Sequence, residues 1–297
     1  MRTSLYKYIC LLLMSICCVQ IQAYKGYMQT KNLHVVRVGL NGGCTYNLVP
    51  TDCVMKGKIG GSGTLGFDYT FYKSRKNMKF QKNTDVGFRT GLDFGYLYSS
   101  YRAEFEQQYS NVDYLGNQLD YTTSSVVEIT QNQLYASVPL MFAMRSNGFV
   151  WNIGVRLQTA LYQSGKQQLK NPLVEAYYPK YDVTVTNELI TGVVAEEQLS
   201  MPLELPSISL ECHAATEIGY EYQIYRTKNA IGILAYFNVG FWNSLPKATD
   251  TPIIQVAPIA DKNNPVPAVT VNDAYSSLLT SYMPLQFGIK LYYAFTL

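Results

Sequence analysis

The sequence predicts an eight-stranded antiparallel up-and-down transmembrane β-barrel, with short turns at one rim and long loops at the other. Three observations predict it. Eight segments alternate apolar and polar residues with period two, which marks strands with two unlike faces. The links between them are short and long by turns. The apolar set of each segment is almost free of charge, while the opposite set mixes glycine with both signs of charge.

The first segment, Leu33 to Asn41, sets His34, Val36, Val38 and Leu40 against Val35, Arg37, Gly39 and Asn41. The second, Thr64 to Lys73, sets Leu65, Phe67, Tyr69 and Phe71 against Gly66, Asp68 and Thr70. In the third, Val86 to Ser99, the row Val86, Phe88, Leu92, Phe94, Tyr96 and Tyr98 opposes Gly87, Arg89, Gly91, Asp93 and Gly95. The fourth, ending at Arg145, carries Leu134, Ala136, Val138, Leu140 and Phe142 on one side. The fifth, Phe149 to Leu161, sets Phe149, Trp151, Ile153, Val155 and Leu157 against Asn152, Gly154, Arg156 and Gln158. The sixth, Ile208 to Tyr225, opposes Leu210, Cys212, Ala214, Ile218, Tyr220 and Tyr222 to Glu211, His213, Glu217 and Glu221. The seventh runs from Ala230 to Phe241. The eighth sets Leu285, Phe287, Ile289, Leu291, Tyr293, Phe295 and Leu297 against Gln286, Gly288, Lys290, Tyr292 and Thr296. Pro139 cannot donate to a ladder, so a bulge is expected there.

Arg145-Ser146-Asn147-Gly148 and Arg226-Thr227-Lys228-Asn229 read as tight polar turns. The links 42–63, 100–125, 165–207 and 242–282 are long, and the last holds five of the twelve prolines. Within 165–207, YDVTVT and ELITGVV form either a small hairpin above the membrane or two further spanning strands. The second reading makes ten strands. Tyr181 to Thr186 is short for a crossing, so eight is preferred.

The composition decides which face is wet. Apolar sets nine or more residues long suffice to cross an outer membrane at the usual tilt. An arginine facing lipid near the midplane costs roughly 2–4 kcal/mol. Arg37, Asp68, Arg89, Asp93, Arg156, Glu211, His213, Glu217, Glu221 and Lys290 are therefore expected to point into the barrel as a lumenal charge network, and the apolar rows to meet lipid. A closed sheet leaves no unpaired edge in hydrocarbon. Aromatic residues at both ends of the rows suit interfacial girdles.

Residues 1–23 have a basic start (Arg2, Lys7), a short apolar run and a small residue at Ala23, the pattern of a signal peptide. The barrel domain then covers 24–297. Without Arg2 and Lys7 the balance is 22 basic against 21 acidic residues, and nothing points to nucleic acid. An exported chain with an even strand count has both ends in the periplasm, short turns there and long loops outside. Cys44 and Cys53 lie close together in sequence, in a glycine-containing loop. Export permits a disulfide between them; two unpaired thiols is the other reading. With two histidines and no CxxC, no metal site or cofactor is expected.

The segment QLYASVPLMFAMR, the strand after it with Gly154, and the closing run FGIKLYYAFTL resemble the PorT-like outer membrane protein β-barrel domain group of the Bacteroidota, small barrels similar in shape to OmpA. The resemblance is one of pattern over most of the chain. It implies outer-membrane location, and it implies that Tyr293, Phe295 and Leu297 end an assembly signal read by the barrel-assembly machinery. It also implies a role in support of a secretion system.

Eight strands leave a lumen that side chains fill. No nucleophile–base constellation stands out, and Glu211, His213 and Glu217 lie along one inward face opposite basic residues. The expectation is thus a non-enzymatic outer-membrane barrel with a filled lumen. It would act structurally or through its loops on a surface protein or glycan, with membrane lipid around it. The alternatives are a narrow channel for small solutes and a soluble secreted ligand-binding barrel.

Overall fold

The computed structural model of the chain describes residues 28–49, 55–77, 82–112, 116–186, 198–202, 210–243, 252–256, 269–274, 278 and 282–297. Among these residues alternation carries the chain through twelve strands: β1 Met28–Leu48, β2 Met55–Asn77, β3 Lys82–Val112, β4 Gln118–Ser146, β5 Phe149–Tyr178, β6 Val183–Val185, β7 Gln198–Pro202, β8 Leu210–Gln223, β9 Ala230–Asn243, β10 Ile254–Val256, β11 Val269–Val271 and β12 Met283–Thr296. Eight of them close into a ring, in the order β1, β2, β3, β4, β5, β8, β9, β12 and back to β1, every pairing antiparallel.

The tight turn between β4 and β5 uses Asn147 and Gly148, both at positive φ (50° and 85°), the geometry that suits a two-residue hairpin loop. At the other end β6 and β7 pair only with the upper part of β5, through Ala176–Tyr178 and Lys166–Lys170. Neither crosses, so among the described residues the ring holds eight strands and the ten-strand alternative falls. The ELITGVV segment lies outside the described residues, as do 1–23.

Over the membrane-level part of the barrel the faces sort as their solvents require. Leu40, Leu65, Phe67, Phe94, Leu157, Ile233, Phe287 and Leu291 are exposed on the outside, while Arg37, Arg89, Arg156, Glu217 and Lys290 are buried inside. The aromatics gather at the rims of this belt: Tyr69, Phe71, Phe142, Phe149, Tyr220, Tyr222 and Phe295 near the short turns, Tyr96, Tyr98 and Phe241 toward the long loops. His34 lies in the lower girdle, its ring 5.3 Å from that of Phe71.

Above the belt the same strands continue and the pattern reverses. In β3 the inward row passes from Arg89 and Asp93 to Tyr101, Ala103 and Phe105, while the outward row passes from Phe94 and Tyr96 to Arg102, Glu104 and Glu106. In β4 the inward row above the belt is Leu119, Tyr121, Val127 and Ile129. From Ser99 to Val112 this adds roughly 40 Å of strand beyond the belt. Inside it a hydrophobic core forms with Met55, Leu169, Val174 and Ala176, and with Ile253, Ile254, Val256 and Ala274 from the segment around β10 and β11. The hairpin is tied in by polar caps: the Ile253 amide donates to Gln107 (2.8 Å), the Val256 amide to Tyr109 (2.8 Å) and the Ala274 amide to Gln167 (2.9 Å). A head with an ordinary water-soluble polarity thus sits on a barrel with the inverse polarity.

Three expectations change. Much of the link 100–125 is strand, because its inward residues are apolar and its outward ones polar, the opposite phase to the belt. Pro139 makes no bulge: the ladder between β3 and β4 skips two pairs, Gly91 and Leu92 against Pro139 and Val138, and resumes in the same register, Thr90↔Leu140 and then Asp93↔Ser137. A missing N–H opens the ladder without demanding an extra residue. Cys44 is not in a loop but exposed on β1, opposite Phe287 and Gly61. Cys53 lies outside the described residues, and so does the pairing of the two.

Ile129 is completely buried in the head, and Ile129→Ala should cost about 2–5 kcal/mol there. Amide exchange in the β10–β11 hairpin and the upper halves of β3 to β5 should speed up, with the belt strands unchanged.

Candidate functional site

Among the described residues the interior of the barrel holds the largest cluster of buried ionisable groups, and it is layered. Nearest the short turns, Arg145 pairs with Asp85 and Glu221 (both 2.7 Å) and Arg37 reaches Glu221 at 3.4 Å. Tyr292 donates to the same Glu221 carboxylate at 2.9 Å, and Arg37 donates to Thr70 at 3.0 Å and Tyr72 at 2.6 Å. The Arg37 guanidinium also sits over the Tyr292 ring, 5.1 Å from its centre. Two cations meet two carboxylates.

At mid-height Arg89 bridges Asp68 (2.6 Å) and Glu217, and Lys290 reaches Asp68 at 2.7 Å. Arg156 pairs with Asp93 at 3.0 Å and lies 3.8 Å from Glu217. Asn152 donates to Glu217 at 2.9 Å. Three cations meet three carboxylates, all fully or almost fully buried. Most of these pairs join strands that are not neighbours, so they cross the lumen. Gly66 permits this, since a side chain there would run into the Asp93 carboxylate.

Above them His213 Nε2 and Glu211 are 3.0 Å apart, Tyr282 donates to the other Glu211 oxygen at 2.8 Å, and Gln158, Gln286 and Asn238 continue the polar packing. A residual polar cavity of about 10 Å³ lined by Gln131, Gln133, Glu211 and Gln286 is the space left at this level, about one water's worth. The hydrophobic head then closes the outer mouth. At the short-turn end a vestibule of about 360 Å³ opens, lined by Asp85, Arg145, Glu221, Gln223 and Lys228.

The structure therefore brings together all ten residues expected in the lumen: Arg37, Asp68, Arg89, Asp93, Arg156, Glu211, His213, Glu217, Glu221 and Lys290 are all buried. Asp85, not on that list, belongs to the lowest layer. It continues the odd-numbered inward row of β3 one pair beyond Arg89 and Gly87, a signal available in the sequence. Tyr293 and Phe295 lie on the outward face of β12, stacked edge to face with ring centres 4.6 Å apart, and the Leu297 amide donates to the His34 carbonyl at 2.8 Å. Of the tyrosines in the 162–181 region, Tyr162 is outward on β5, and Tyr177 and Tyr181 are exposed beside the β5–β6 turn. Outside the membrane level, hydrogen bonds from Lys170 and Lys58 hold the Glu128 carboxyl below the usual carboxylate range.

No family model matches the chain, and no curated protein matches it. Among solved structures it is similar to the outer membrane protease OmpT from Escherichia coli, at 9% identity and a TM-score of 0.25, over 92% of this chain and 99% of that one. A likeness at that level transfers no residue and no activity. It does correct one expectation. The sequence reading excluded an enzyme, yet a solved structure to which this chain is similar is itself an outer-membrane protease, so that exclusion is withdrawn and enzymatic status is not established.

Glu217 serves three cations, so Glu217→Ala should leave buried positive charge uncompensated and cost roughly 3–5 kcal/mol, read as a lower urea midpoint for unfolding from vesicles. Replacing partners together, Arg89→Met with Glu217→Leu, should recover most of that loss.

Proposed function

We propose that this chain is an exported outer-membrane barrel that acts through the head it carries above the bilayer, as a structural or interaction component of the cell envelope. The observation that carries the reading is the double closure of the lumen. Salt bridges cross it at two heights, and a hydrophobic core stoppers it above. What the barrel leaves available to the outside is the rim and the surface of the head, where Tyr177 and Tyr181 are exposed beside Lys180, whose ammonium stacks on Tyr181 at 5.4 Å. Tyrosine beside adaptable polar groups suits recognition of a protein or glycan surface.

The signal-peptide pattern and the alternating closing strand support export and insertion by the barrel-assembly machinery, with the short turns in the periplasm. The PorT-like pattern adds support of a secretion machine as the specific role; deletion of the gene would then block secretion of surface proteins. Nothing in the interior favours a channel over this reading.

Two measurements test it. The folded barrel should fractionate with the outer membrane and migrate faster on gels before heating than after; recovery as a soluble periplasmic protein defeats the reading. In planar bilayers the purified barrel should be electrically silent, and steady single-channel steps would restore the channel alternative.

A further inference from the structure

We propose that the outward face of β1 to β5 binds one membrane lipid with a phosphate-bearing headgroup, its acyl chain lying in a groove of the belt and its phosphate on a basic band directly above. The proposal rests on the membrane reading above and names a ligand for it.

The groove, about 710 Å³, is walled by Leu40, Leu65, Phe94, Tyr96, Leu134 and Leu161, with Gly63 in its lining. Gly63 in that lining, and Gly42 paired with it beside the groove, differ from the barrel's inward glycines. Inside the barrel, Gly66 and Gly154 are compelled: a side chain would strike the Asp93 carboxylate or the Leu140 carbonyl. On the outside, an added Cβ at Gly42 has nothing within 4 Å, and at Gly63 the nearest atom is 3.8 Å away. Packing does not require glycine at either place, and glycine weakens a strand. The two face each other across β1 and β2 (Gly42↔Gly63), so together they hollow the surface where neighbouring positions carry large apolar side chains.

The band begins where the belt ends. Lys58 on β2 lies opposite Ser100 on β3, which pairs with Thr130 on β4, which pairs with Lys166 on β5. The next outward row runs Lys56, Arg102, Glu128, Gln168, and Glu104 and Lys170 flank it. Five cations thus face two carboxylates. Lys58 and Lys170 converge on the one Glu128 (3.1 and 2.7 Å), and Arg102 pairs with Glu104 at 3.1 Å. Lys56 and Lys166 have no ion pair among the described residues. Along β3 the distance from the groove at Tyr96 to the band at Ser100 is about 14 Å of strand. Apolar hollow below and surplus positive charge above, on the same strands, match an anionic amphiphile; a zwitterionic or neutral lipid would fit the hollow and leave the charge unanswered. Basic clusters at a bilayer's edge are recognition sites for anionic headgroups.

The test uses the full mature chain in detergent micelles, with bound lipid counted by native mass spectrometry. Phosphatidylglycerol should be retained as a single copy, at least about tenfold more tightly than phosphatidylcholine of the same chains, since two unanswered cations each add several-fold to binding at an anionic surface. Millimolar inorganic phosphate should not displace it. The double variant Lys56→Gln with Lys166→Gln should abolish the preference between the two lipids. Gly63→Leu, which fills the groove without touching the band, should abolish retention of both. Equal retention of the two lipids by the unmodified chain overturns the proposal. So does displacement by inorganic phosphate, or unchanged retention in either variant. Both variants alter outward side chains with room around them, and faster migration before heating verifies that each is folded. Membrane fractionation separates the two readings: a barrel found in the membrane but indifferent to headgroup refutes only the lipid site.

Discussion

Charge balance inside a closed sheet is the constraint on which everything else here depends. Arg37 and Arg145 meet Asp85 and Glu221 near the short turns, and Arg89, Arg156 and Lys290 meet Asp68, Asp93 and Glu217 at mid-height. Ion pairs of this kind give little net stability, because desolvation consumes most of the attraction. Their value is in what they make tolerable: ten charges within a sheet whose outside is hydrocarbon. They also join strands across the ring, so every ring strand except β9 is tied by an ion pair to a strand that is not its neighbour.

That balance explains why the lumen is a poor place to look for transport and why the head draws attention. Above the belt β3 and β4 keep one register while the surrounding solvent changes, and the side chains change with it. Ile129 and Phe105 turn inward to meet Ile254 and Val256, and Arg102 and Glu104 turn outward to water. The segment containing β10 and β11 is rich in proline and, among the described residues, forms a ladder only with itself, yet it completes a core together with the long strands. One chain thereby contains an inside-out barrel and a conventional one, end to end.

Much of this was legible beforehand. Every spanning strand, the turn at Asn147-Gly148, and the ten lumenal residues follow from period-two alternation and the cost of charge in lipid. The strand lengths were not legible, because the rule used to find them looked for apolar residues on the outer face. At Tyr101 and Val127 the apolar set passes to the inner face, so 100–125 reads as a polar loop to anyone holding that rule. Parity was the available clue: the odd-numbered row of β3 runs unbroken from Asp85 through Arg89, Asp93, Leu97, Tyr101 and Phe105. The cross-lumen partners were not legible either. Arg37 lies directly opposite Asp68 in the ladder but pairs with Glu221, three strands away, and only the closed ring brings those two together.

The reversal within β3 has a consequence for how the chain finds its pairing. Sliding a strand by one residue exchanges its two faces. In an ordinary membrane strand that error is punished along one stretch only. Here the same slip would expel Arg89 and Asp93 into hydrocarbon and, farther along, drive Arg102 and Glu104 into the apolar stopper while stranding Tyr101 and Phe105 in water. Two unlike environments thus check a single alignment at separate points along one strand, and an arrangement that satisfies both leaves little room for a neighbour one step out.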